Sequence, residues 1–253
     1  MSGKTAGRPV VCITQARINS YRLPAKVLMP IAGKPMLRWH LDRLKLARRI
    51  DRIVVATTEE PAADAIVEIA RQAGVMVFRG SEQDVLDRFA GAAALADAAT
   101  VVRVTSDCPV IDPEVIDRVI ALYDDAGEAC HYASLDVSTF PRGLDCEVFS
   151  RQALDEAHRE AVDREDREHV TVFIRRHVER YAARFLSTAP SDPVYRWTVD
   201  TPADFDLARR IIEHFAPLGI DFSWTDIAAL MRRHPEWAAI NAEVNQQRLA
   251  GES

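Results

Sequence analysis

Short runs of consecutive hydrophobic residues alternate along the chain with stretches whose hydrophobic residues recur at helical spacing. Four of the runs have the length of buried strands: 10–13, 53–56, 75–78 and 101–105. Between the first two runs, Leu37, Leu41 and Leu44 fall on one face of a helix. Apolar strands that are each followed by a helix are typical of a parallel sheet covered on both faces. The pattern predicts an α/β protein, Rossmann-like, with three α/β/α layers and a mostly parallel sheet.

The second half of the chain has a less regular pattern than the first. Three further strands are predicted, at 129–133, 143–149 and 195–199. Three longer stretches have helical spacing, at 165–177, 202–214 and 224–249. No internal repeat and no linker rich in Pro, Gly and Ser divides the sequence. We therefore expect a single domain over residues 1–253, with an inserted region around 129–195.

Composition and charge narrow the classes of function. The 253 residues carry a formal net charge of −6, whereas non-specific nucleic-acid binding requires a basic surface. No run approaches the roughly 20 consecutive apolar residues of a membrane span, and the N-terminus lacks the apolar core of a secretory signal. The cysteines are scattered without CxxC spacing, so they form neither a zinc nor a redox motif. The sequence predicts a cytoplasmic protein with no nucleic-acid or membrane partner.

A basic loop follows the first predicted strand. It carries Arg17, Arg22 and Lys26 together with the hydrogen-bonding side chains of Gln15 and Ser20. Open α/β sheets bind their ligands at the carboxyl ends of the strands, and Arg and Lys bind phosphate oxygens. The loop is therefore a candidate cradle for a triphosphate, although it is not a Walker A loop because GxxxxGK[ST] is absent. The alternative is an ordinary solvated basic loop.

Two aspartates end predicted strands at the same edge of the sheet. Asp107 lies in Thr-Ser-Asp-Cys-Pro, and Asp200 lies in Val-Asp-Thr-Pro. Mg²⁺ prefers oxygen ligands and often takes one or two carboxylates together with substrate phosphates. Both aspartates are thus candidate metal ligands. The alternative is that each caps a helix, although Asp112, just before Pro113, is the better candidate for the first cap.

Two further charged segments are candidates for a substrate pocket. Asp145 and Glu147 are two residues apart in a predicted strand and therefore face the same side. Arg167 and His169 lie at the start of a predicted helix. A solvated face is the alternative for both segments. A carboxylated or phosphorylated substrate would need cationic partners, and four arginines are available: Arg142, Arg167, Arg175 and Arg196.

Taken together, these segments resemble the SpsF-type spore-coat polysaccharide biosynthesis proteins of the cytidylyltransferase family, which includes the CMP-Kdo and CMP-sialate synthetases. The resemblance spans nearly the whole chain in collinear order. Its most specific segments are QARINSYRLPAKVL (15–28), FRGSEQDVLDRF (78–89), VRVTSDCPVID (102–112), DREHVTVFIRRH (166–177) and RWTVDTPADFDLARRI (196–211). It implies a Rossmann-like nucleotidyltransferase fold that binds CTP and Mg²⁺ and forms a homodimer through the inserted region.

The resemblance also implies roles for particular residues. The catalytic set is Arg17, Lys26, Asp107 and Asp200, of which the two aspartates would hold Mg²⁺. The residues expected at the nucleotide are Gln15, Ala16, Arg17, Ser20, Arg22, Lys26, Thr57, Arg79, Ser81, Asp84 and Ser106. The residues expected at the acceptor are Arg142, Asp145, Glu147, Arg167, His169 and Arg196.

The chain departs from the family pattern at three positions. Ser106 stands where relatives usually have Gly before the metal aspartate, so we expect an altered nucleotide fit with the site retained. Asn19 and Tyr21 stand where SpsF-type proteins usually have Gly and Ser or Thr. Because Asn tolerates a left-handed backbone, the turn in the basic loop is expected to survive.

The reaction that the resemblance implies is transfer of CMP from CTP to a sugar or sugar acid, with release of pyrophosphate, in polysaccharide or glycoconjugate biosynthesis. One alternative is a glycosyltransferase that uses a nucleotide sugar. That class usually has a DxD motif after a strand, whereas Asp107 stands in Ser-Asp-Cys and Asp124-Asp125 falls at a helix end. The other alternative is a non-catalytic nucleotide-binding protein, for which Ser106 is the only sequence support.

Overall fold

Seven strands form one mixed sheet in the computed structural model, which describes residues 9–127, 130–188 and 195–244. These strands are β1 (Val10–Gln15), β4 (Arg52–Thr58), β5 (Met76–Gly80), β6 (Thr100–Thr105), β7 (Tyr132–Leu135), β8 (Glu147–Ser150) and β9 (Ala183–Leu186). A separate hairpin pairs β2 (Pro30–Ile31) with β3 (Lys34–Pro35). The order across the main sheet is β5-β4-β1-β6-β8-β7-β9.

The first four strands of the main sheet are parallel, and β8 changes the direction. Strand β1 pairs in parallel with β4 and β6, and β4 pairs in parallel with β5. Strand β8 is antiparallel to both β6 and β7, and β9 is parallel to β7. The loops after β1, β4, β5 and β6 therefore all emerge at one edge of the sheet, where a ligand is expected to bind.

The helices cover both faces of the sheet. They are α1 (Met36–Leu44), α2 (Asp64–Gln72), α3 (Val85–Leu95), α4 (Pro113–Asp125), α5 (Arg151–Glu160), α6 (Arg164–His169), α7 (Val172–Arg176), α8 (Pro202–Phe215), α9 (Trp224–Arg233) and α10 (Pro235–Ala238). Buried residues of α1, α2, α4, α8 and α9 form one core with one face of the sheet. Those of α3, α5 and α7 form a second core against the other face. The predicted three-layer α/β/α architecture is confirmed.

Several predicted elements need correction. The strand expected at 129–133 runs from Tyr132 to Leu135, and the one expected at 143–149 forms only over Glu147–Ser150. No strand forms over described residues 195–199, where Arg196 makes a single bridge to Arg142. The segments are extended, as the periodicity predicts, but too few of their backbone groups form hydrogen bonds with a neighbouring strand to make complete β-ladders.

The predicted helix over 165–177 is broken at Val170. Val170 has φ 55° and ψ −55°, and the amide of Thr171 donates to the carbonyl of His169 at 2.5 Å. This three-residue hydrogen bond is a γ-turn with a left-handed central residue, a strained conformation for a β-branched side chain. The turn separates α6 from α7.

One other helix prediction also differs from the structure. The helix expected over 224–249 ends at Arg233 and resumes at Pro235, which cannot supply an amide hydrogen to continue it. Residues 245–249 of that prediction lie outside the described residues.

The region around 129–195 continues the same sheet with β7, β8 and β9 and adds α5, α6 and α7. Its predicted role in dimerisation stays a prediction. Across the described part of the chain, every helix is too short or too polar to cross a membrane.

Candidate active site

Three segments that are distant in sequence meet at the carboxyl edge of the sheet. The amide of Ser106, just after β6, donates to the carbonyl of Gln15 at the end of β1 at 3.3 Å. The amide of Val199 donates to the carbonyl of Asp107 at 2.8 Å. These backbone bonds bring the segment before α8 beside the loop after β6, so that Asp107 and Asp200 lie close together.

Lys26 connects the two predicted metal aspartates. Its ammonium donates to Asp107 Oδ2 at 3.1 Å, to Asp200 Oδ1 at 2.9 Å and to the carbonyl of Val199 at 2.7 Å. Lys26 is largely buried at 9% exposure, because left-handed Ala25 (φ 55°) turns the loop inward just before it. Two carboxylates from distant parts of the sequence thus converge on one ammonium.

The charges of this cluster stabilise one another. Burial by itself would raise the pKa of Asp107, but the Lys26 ammonium and hydrogen bonds from Thr105, Lys26 and Cys108 lower it to about 2. Burial likewise opposes the charge of Lys26, yet Asp107 and Asp200 together raise its pKa. At neutral pH the Lys26 ammonium therefore lies beside the ionised carboxylate of Asp107.

Two arginines extend the cluster from Asp200. Arg22 and Arg196 contact Asp200 Oδ2 at 3.0 Å and 2.7 Å, and Arg196 Nε also donates to Asp204 at 3.0 Å. Asp204 belongs to the capping box that Thr201 forms at the start of α8. Asn241 donates to Asp204 at 2.8 Å. Helix α8, its cap and Asn241 thus fix the direction of Asp200.

His40, which the sequence analysis did not single out, supports the loop that carries Asp107. Its Nε2 lies 2.9 Å from the hydroxyl of Thr14 on β1, and its Nδ1 lies 2.9 Å from the carbonyl of Cys108. His40 is fully buried on α1, and burial lowers its pKa to about 4. The neutral ring therefore links β1 to the segment directly after Asp107.

His40 is expected to make the protein less stable as the pH falls from about 6.5 towards about 4. In that window the unfolded chain binds a proton on this histidine and the folded chain does not, so stability rises with pH. Because one pKa unit corresponds to about 1.4 kcal/mol, the full effect is about 3 kcal/mol. About 2 kcal/mol of it should be lost between pH 7 and pH 5, and urea unfolding of the wild type and of His40→Gln at these two pH values measures that loss. A pH-dependent difference as large in His40→Gln as in the wild type would contradict the prediction.

A cavity of about 570 Å³ opens beside this cluster. Eight of the predicted site residues line it: Gln15, Arg22, Asp107, Arg142, Asp145, Glu147, His169 and Asp200. The sequence analysis missed much of its wall, including Arg103, Tyr132, Tyr181 and Phe185. The cavity is large enough for a sugar-sized ligand next to Asp107 and Asp200.

Glu147 is the centre of a buried network in the floor of the cavity. It accepts from Tyr132 Oη at 2.6 Å and from Thr171 Oγ1 at 2.7 Å, and it forms an ion pair with Arg103. Burial would raise the pKa of Glu147, but the charge of Arg103 and these hydrogen bonds lower it. Asp145 and Glu147 were predicted to face the same side of a strand, but only Glu147 lies in β8. Both line the cavity, where Asp145 pairs with Arg142 at 3.3 Å.

Because Gly143 has no side chain, the backbone of the cavity wall can pack closely against the segment that precedes Asp200. It has φ 105°, and a Cβ there would lie 2.6 Å from the amide nitrogen of Thr198. Gly143→Ala is therefore expected to separate Arg142 from Arg196 and to destabilise the protein by about 1–3 kcal/mol. Thermal unfolding measures the loss. Gly127→Ala is a matched control, since Gly127 also has positive φ (64°) but no atom within 4 Å of the added Cβ. An equal loss of stability in both variants would show that backbone strain alone, and not the close approach to Thr198, causes it.

The other predicted site residues have contacts of their own. Arg79 donates to Asp64, to the carbonyl of the last residue of β4 and to the two carbonyls that follow it, and Arg167 pairs with Asp84. Neither Arg167 nor Arg196 lines the cavity described above. Their roles at nucleotide or acceptor stay predictions.

The remaining residues of the nucleotide set lie near the carboxyl ends of β1, β4, β5 and β6. Arg17 is exposed, whereas Ala16 and Ser106 are buried. The hydroxyl oxygen of Ser81 accepts hydrogen bonds from the amides of Gln83 and Asp84 in the turn before α3. Thr57 is fully buried, and its hydroxyl has no hydrogen-bond partner among the residues that the structure describes.

The fold and the site define a member of the cytidylyltransferase family. The family model described as cytidylyltransferase matches residues 11–216. This match covers most of the sequence, and the chain belongs to that family.

Particular relatives resemble the chain over nearly its whole length. The spore coat polysaccharide biosynthesis protein SpsF of Bacillus subtilis is 32% identical over 90% of this chain and 96% of its own. The solved structure of a cytidylyltransferase from Leptospira borgpetersenii superposes with a TM-score of 0.87 at 30% identity, covering 96% of this chain and 100% of the other. A CMP-2-keto-3-deoxy-manno-octonic acid synthetase complexed with CTP shares the fold, with a TM-score of 0.63 at 20% identity over 82% of this chain and 99% of the other.

Proposed function

We propose that this cytidylyltransferase transfers CMP from CTP to a sugar or sugar acid and requires Mg²⁺. The observation that carries the proposal is the convergence of Asp107, Asp200 and Lys26 at the mouth of a cavity. An oxygen of the acceptor attacks the α-phosphorus of CTP, and the bond to the β-phosphate oxygen breaks to release pyrophosphate. This reaction depends on positioning and on neutralising charge, with no covalent enzyme intermediate.

The donor set at the carboxyl edge fits Mg²⁺. Asp107 and Asp200 share the Lys26 ammonium. Among the described residues no group of three or more potential metal-ligating side chains occurs, so the protein itself would supply only two ligands. Asp107 and Asp200 would hold the ion, with nucleotide phosphates completing the oxygen ligands. The bound ion would supply charge neutralisation at the phosphates.

Cationic side chains of the basic loop are assigned to the triphosphate. Arg22 already lies beside Asp200, and exposed Arg17 lies in the same loop. Lys26 would balance charge on the pyrophosphate leaving group. Because these charges are held in place before the nucleotide arrives, little reorganisation is needed during the reaction.

The cavity is assigned to the acceptor. Arg103 and Arg142 each pair with a carboxylate, whereas Arg175 makes no ion pair with any described residue. Arg175 is therefore the cationic side chain in the wall that is most available to an anionic group of the acceptor. The hydrogen-bonding groups of Glu147 and Thr171 would face the acceptor's hydroxyls.

A direct test measures pyrophosphate release with CTP, UTP, ATP and GTP against a panel of sugar acids, sugar phosphates and phosphonates, with and without Mg²⁺. Release with CTP that depends on both an acceptor and Mg²⁺ is expected. Release without Mg²⁺ would overturn the metal assignment alone. Transfer of a sugar from a nucleotide sugar in the same panel would instead support the glycosyltransferase alternative.

We also propose that the protein is a cytoplasmic homodimer. All four cysteines are free thiols, as is usual in a reducing compartment. Strand β9 is an edge of the main sheet; Phe185 within it is 58% exposed, and Val178, before it in the chain, is 67% exposed. An exposed apolar edge of this kind is suited to pairing with a second copy. Light scattering coupled to size exclusion tests the dimer, and a monomer at micromolar concentration would contradict it.

A further inference from the structure

Asp145 is a carboxylate of the cavity that holds neither Mg²⁺ nor the triphosphate in the mechanism proposed above. It lines the same cavity as Asp107 and Asp200, and 34% of its side chain is exposed. Its Oδ2 accepts from the amide of Gly143 at 2.8 Å, and its Oδ1 lies 3.3 Å from Nη1 of Arg142. A carboxylate has about four acceptor positions, so these two contacts orient Asp145 and leave it able to bind a ligand in the cavity.

Backbone hydrogen bonds fix the place of Asp145 relative to Asp107 and Asp200. The amide of Arg142 donates to the extended segment before Asp200 at 2.8 Å, and the carbonyl of Arg142 accepts from that segment at 2.7 Å. The same extended segment donates to the carbonyl of Asp107 at 2.8 Å. One backbone framework therefore carries all three carboxylates at the edge of the cavity.

Glu147 and Asp136 also line the cavity, but hydrogen-bond donors engage them more fully. Glu147 accepts from two side-chain hydroxyls and pairs with an arginine. Burial opposes the charge of Glu147, yet these partners lower its pKa. Hydrogen bonds from Ser138 and Ser187 likewise lower the pKa of Asp136. Both groups are therefore weaker proton acceptors than an ordinary carboxylate.

The surroundings of Asp145 have the opposite effect. Burial raises its pKa, the charge of Arg142 and a backbone amide oppose the rise, and the negative charge of Asp107 adds to it. The thiols of Cys108 and Cys146 interact with Asp145 as well, and burial keeps both of them protonated. A carboxylate whose basicity is raised in this way is a better proton acceptor in catalysis.

We propose that Asp145 is the general base that takes the proton from the attacking hydroxyl of the acceptor, an inference that rests on the proposed nucleotidyl transfer. As the hydroxyl oxygen bonds to the α-phosphorus, its proton passes to a carboxylate oxygen of Asp145. The electron pair of the breaking bond leaves with pyrophosphate, and the carboxyl then releases its proton to solvent. A base is needed only where the attacking oxygen carries a proton. The acceptor therefore reacts through a hydroxyl and not through an ionised phosphate or phosphonate oxygen.

The test is the pH dependence of kcat/KM for pyrophosphate release from CTP, with the member of the acceptor panel above that reacts fastest. In the wild type, kcat/KM is expected to rise with pH through the pKa of Asp145 and then to level off, because only the ionised carboxylate accepts a proton. Asp145→Asn is expected to lower the rate by about 10²–10⁴-fold, the contribution typical of general-base catalysis, and to remove this acidic limb. Asp145→Glu keeps a carboxylate and should restore the limb.

Two other variants show whether the effect belongs to Asp145. Asp136→Asn is the matched control, since it also removes one negative charge from the cavity wall, and its acidic limb should match that of the wild type. His169→Gln removes a second group of the wall that could accept a proton. An acidic limb that persists in Asp145→Asn, or that disappears in His169→Gln, overturns the inference.

Calorimetric binding of CTP with Mg²⁺ separates catalysis from structure. The affinity is expected to be the same in the wild type and in Asp145→Asn, because the carboxylate contacts the acceptor and not the nucleotide. A loss of rate that only follows weaker CTP binding would make Asp145 structural and overturn this inference alone. Equal rates of the wild type and Asp145→Asn with a sugar phosphate as the fastest acceptor would also overturn it. A wild type that releases no pyrophosphate with any member of the panel overturns the proposed function as well.

Discussion

Asp107→Asn is expected to lower kcat/KM for CMP transfer by about 10²–10³-fold, the loss seen when one preorganised electrostatic contact to a transition state is removed. The substitution keeps the shape of the side chain but removes the charge that the Lys26 ammonium neutralises at 3.1 Å. A neutral amide is a poor ligand for Mg²⁺ beside phosphates, so the loss should be in turnover more than in folding. Steady-state pyrophosphate release with CTP and its acceptor measures it.

Asp42→Asn is the matched control for that experiment. Asp42 also forms ion pairs, with Arg38 at 2.7 Å and Lys34 at 3.2 Å, but it does not line the cavity. It should leave kcat/KM within about twofold of the wild type, as is usual for surface substitutions away from a site. Near-normal turnover in Asp107→Asn, with Mg²⁺ still required, would remove Asp107 from the metal site.

Lys26→Met is expected to affect stability and activity together. It leaves Asp107 and Asp200 facing each other without their shared cation, and removing one partner of a buried ion pair costs about 3–5 kcal/mol. The solvent access of the two aspartates, whose side chains are 25% and 20% exposed, places the loss at the lower end of that range. Urea unfolding measures the free energy of unfolding, and nucleotide titration measures the weakened affinity for the triphosphate.

Lys26→Arg separates charge from geometry at the same position. It keeps the positive charge, but a planar guanidinium cannot donate to Asp107, Asp200 and the carbonyl of Val199 in the way that an ammonium does. It is expected to recover most of the stability and little of the activity. Wild-type stability in Lys26→Met would mean that the ion pairs with Lys26 contribute nothing to the folded state.

The sequence predicts the strands of the parallel half and places Asp107 at their carboxyl edge. It also predicts that Asp200 lies near Asp107, although the segment before Asp200 is extended and forms no strand. It could not predict that Lys26 lies between them, since that contact depends on the left-handed turn at Ala25. The residue pattern around the break at Val170 is fully helical, so only the tertiary packing of the cavity wall reveals the γ-turn.

Long-range partners explain the other residues that the sequence analysis missed. His40 sits between Trp39 and Leu41 on a buried helix face, where a histidine is ordinary, and its partner Cys108 is 68 residues away. A contact over that separation is visible only in three dimensions.

The contact between Lys26 and Asp200 joins residues 174 positions apart. During synthesis the first parallel strands can pair before the segment with Asp200 has left the ribosome, because domains emerge from the N-terminus. The ammonium of Lys26 then lacks one of its two carboxylates until the last helices dock. Contacts of such separation form late and slowly, so assembly of the nucleotide site coincides with completion of the fold. Nucleotide affinity therefore reports whether a newly made chain has finished folding.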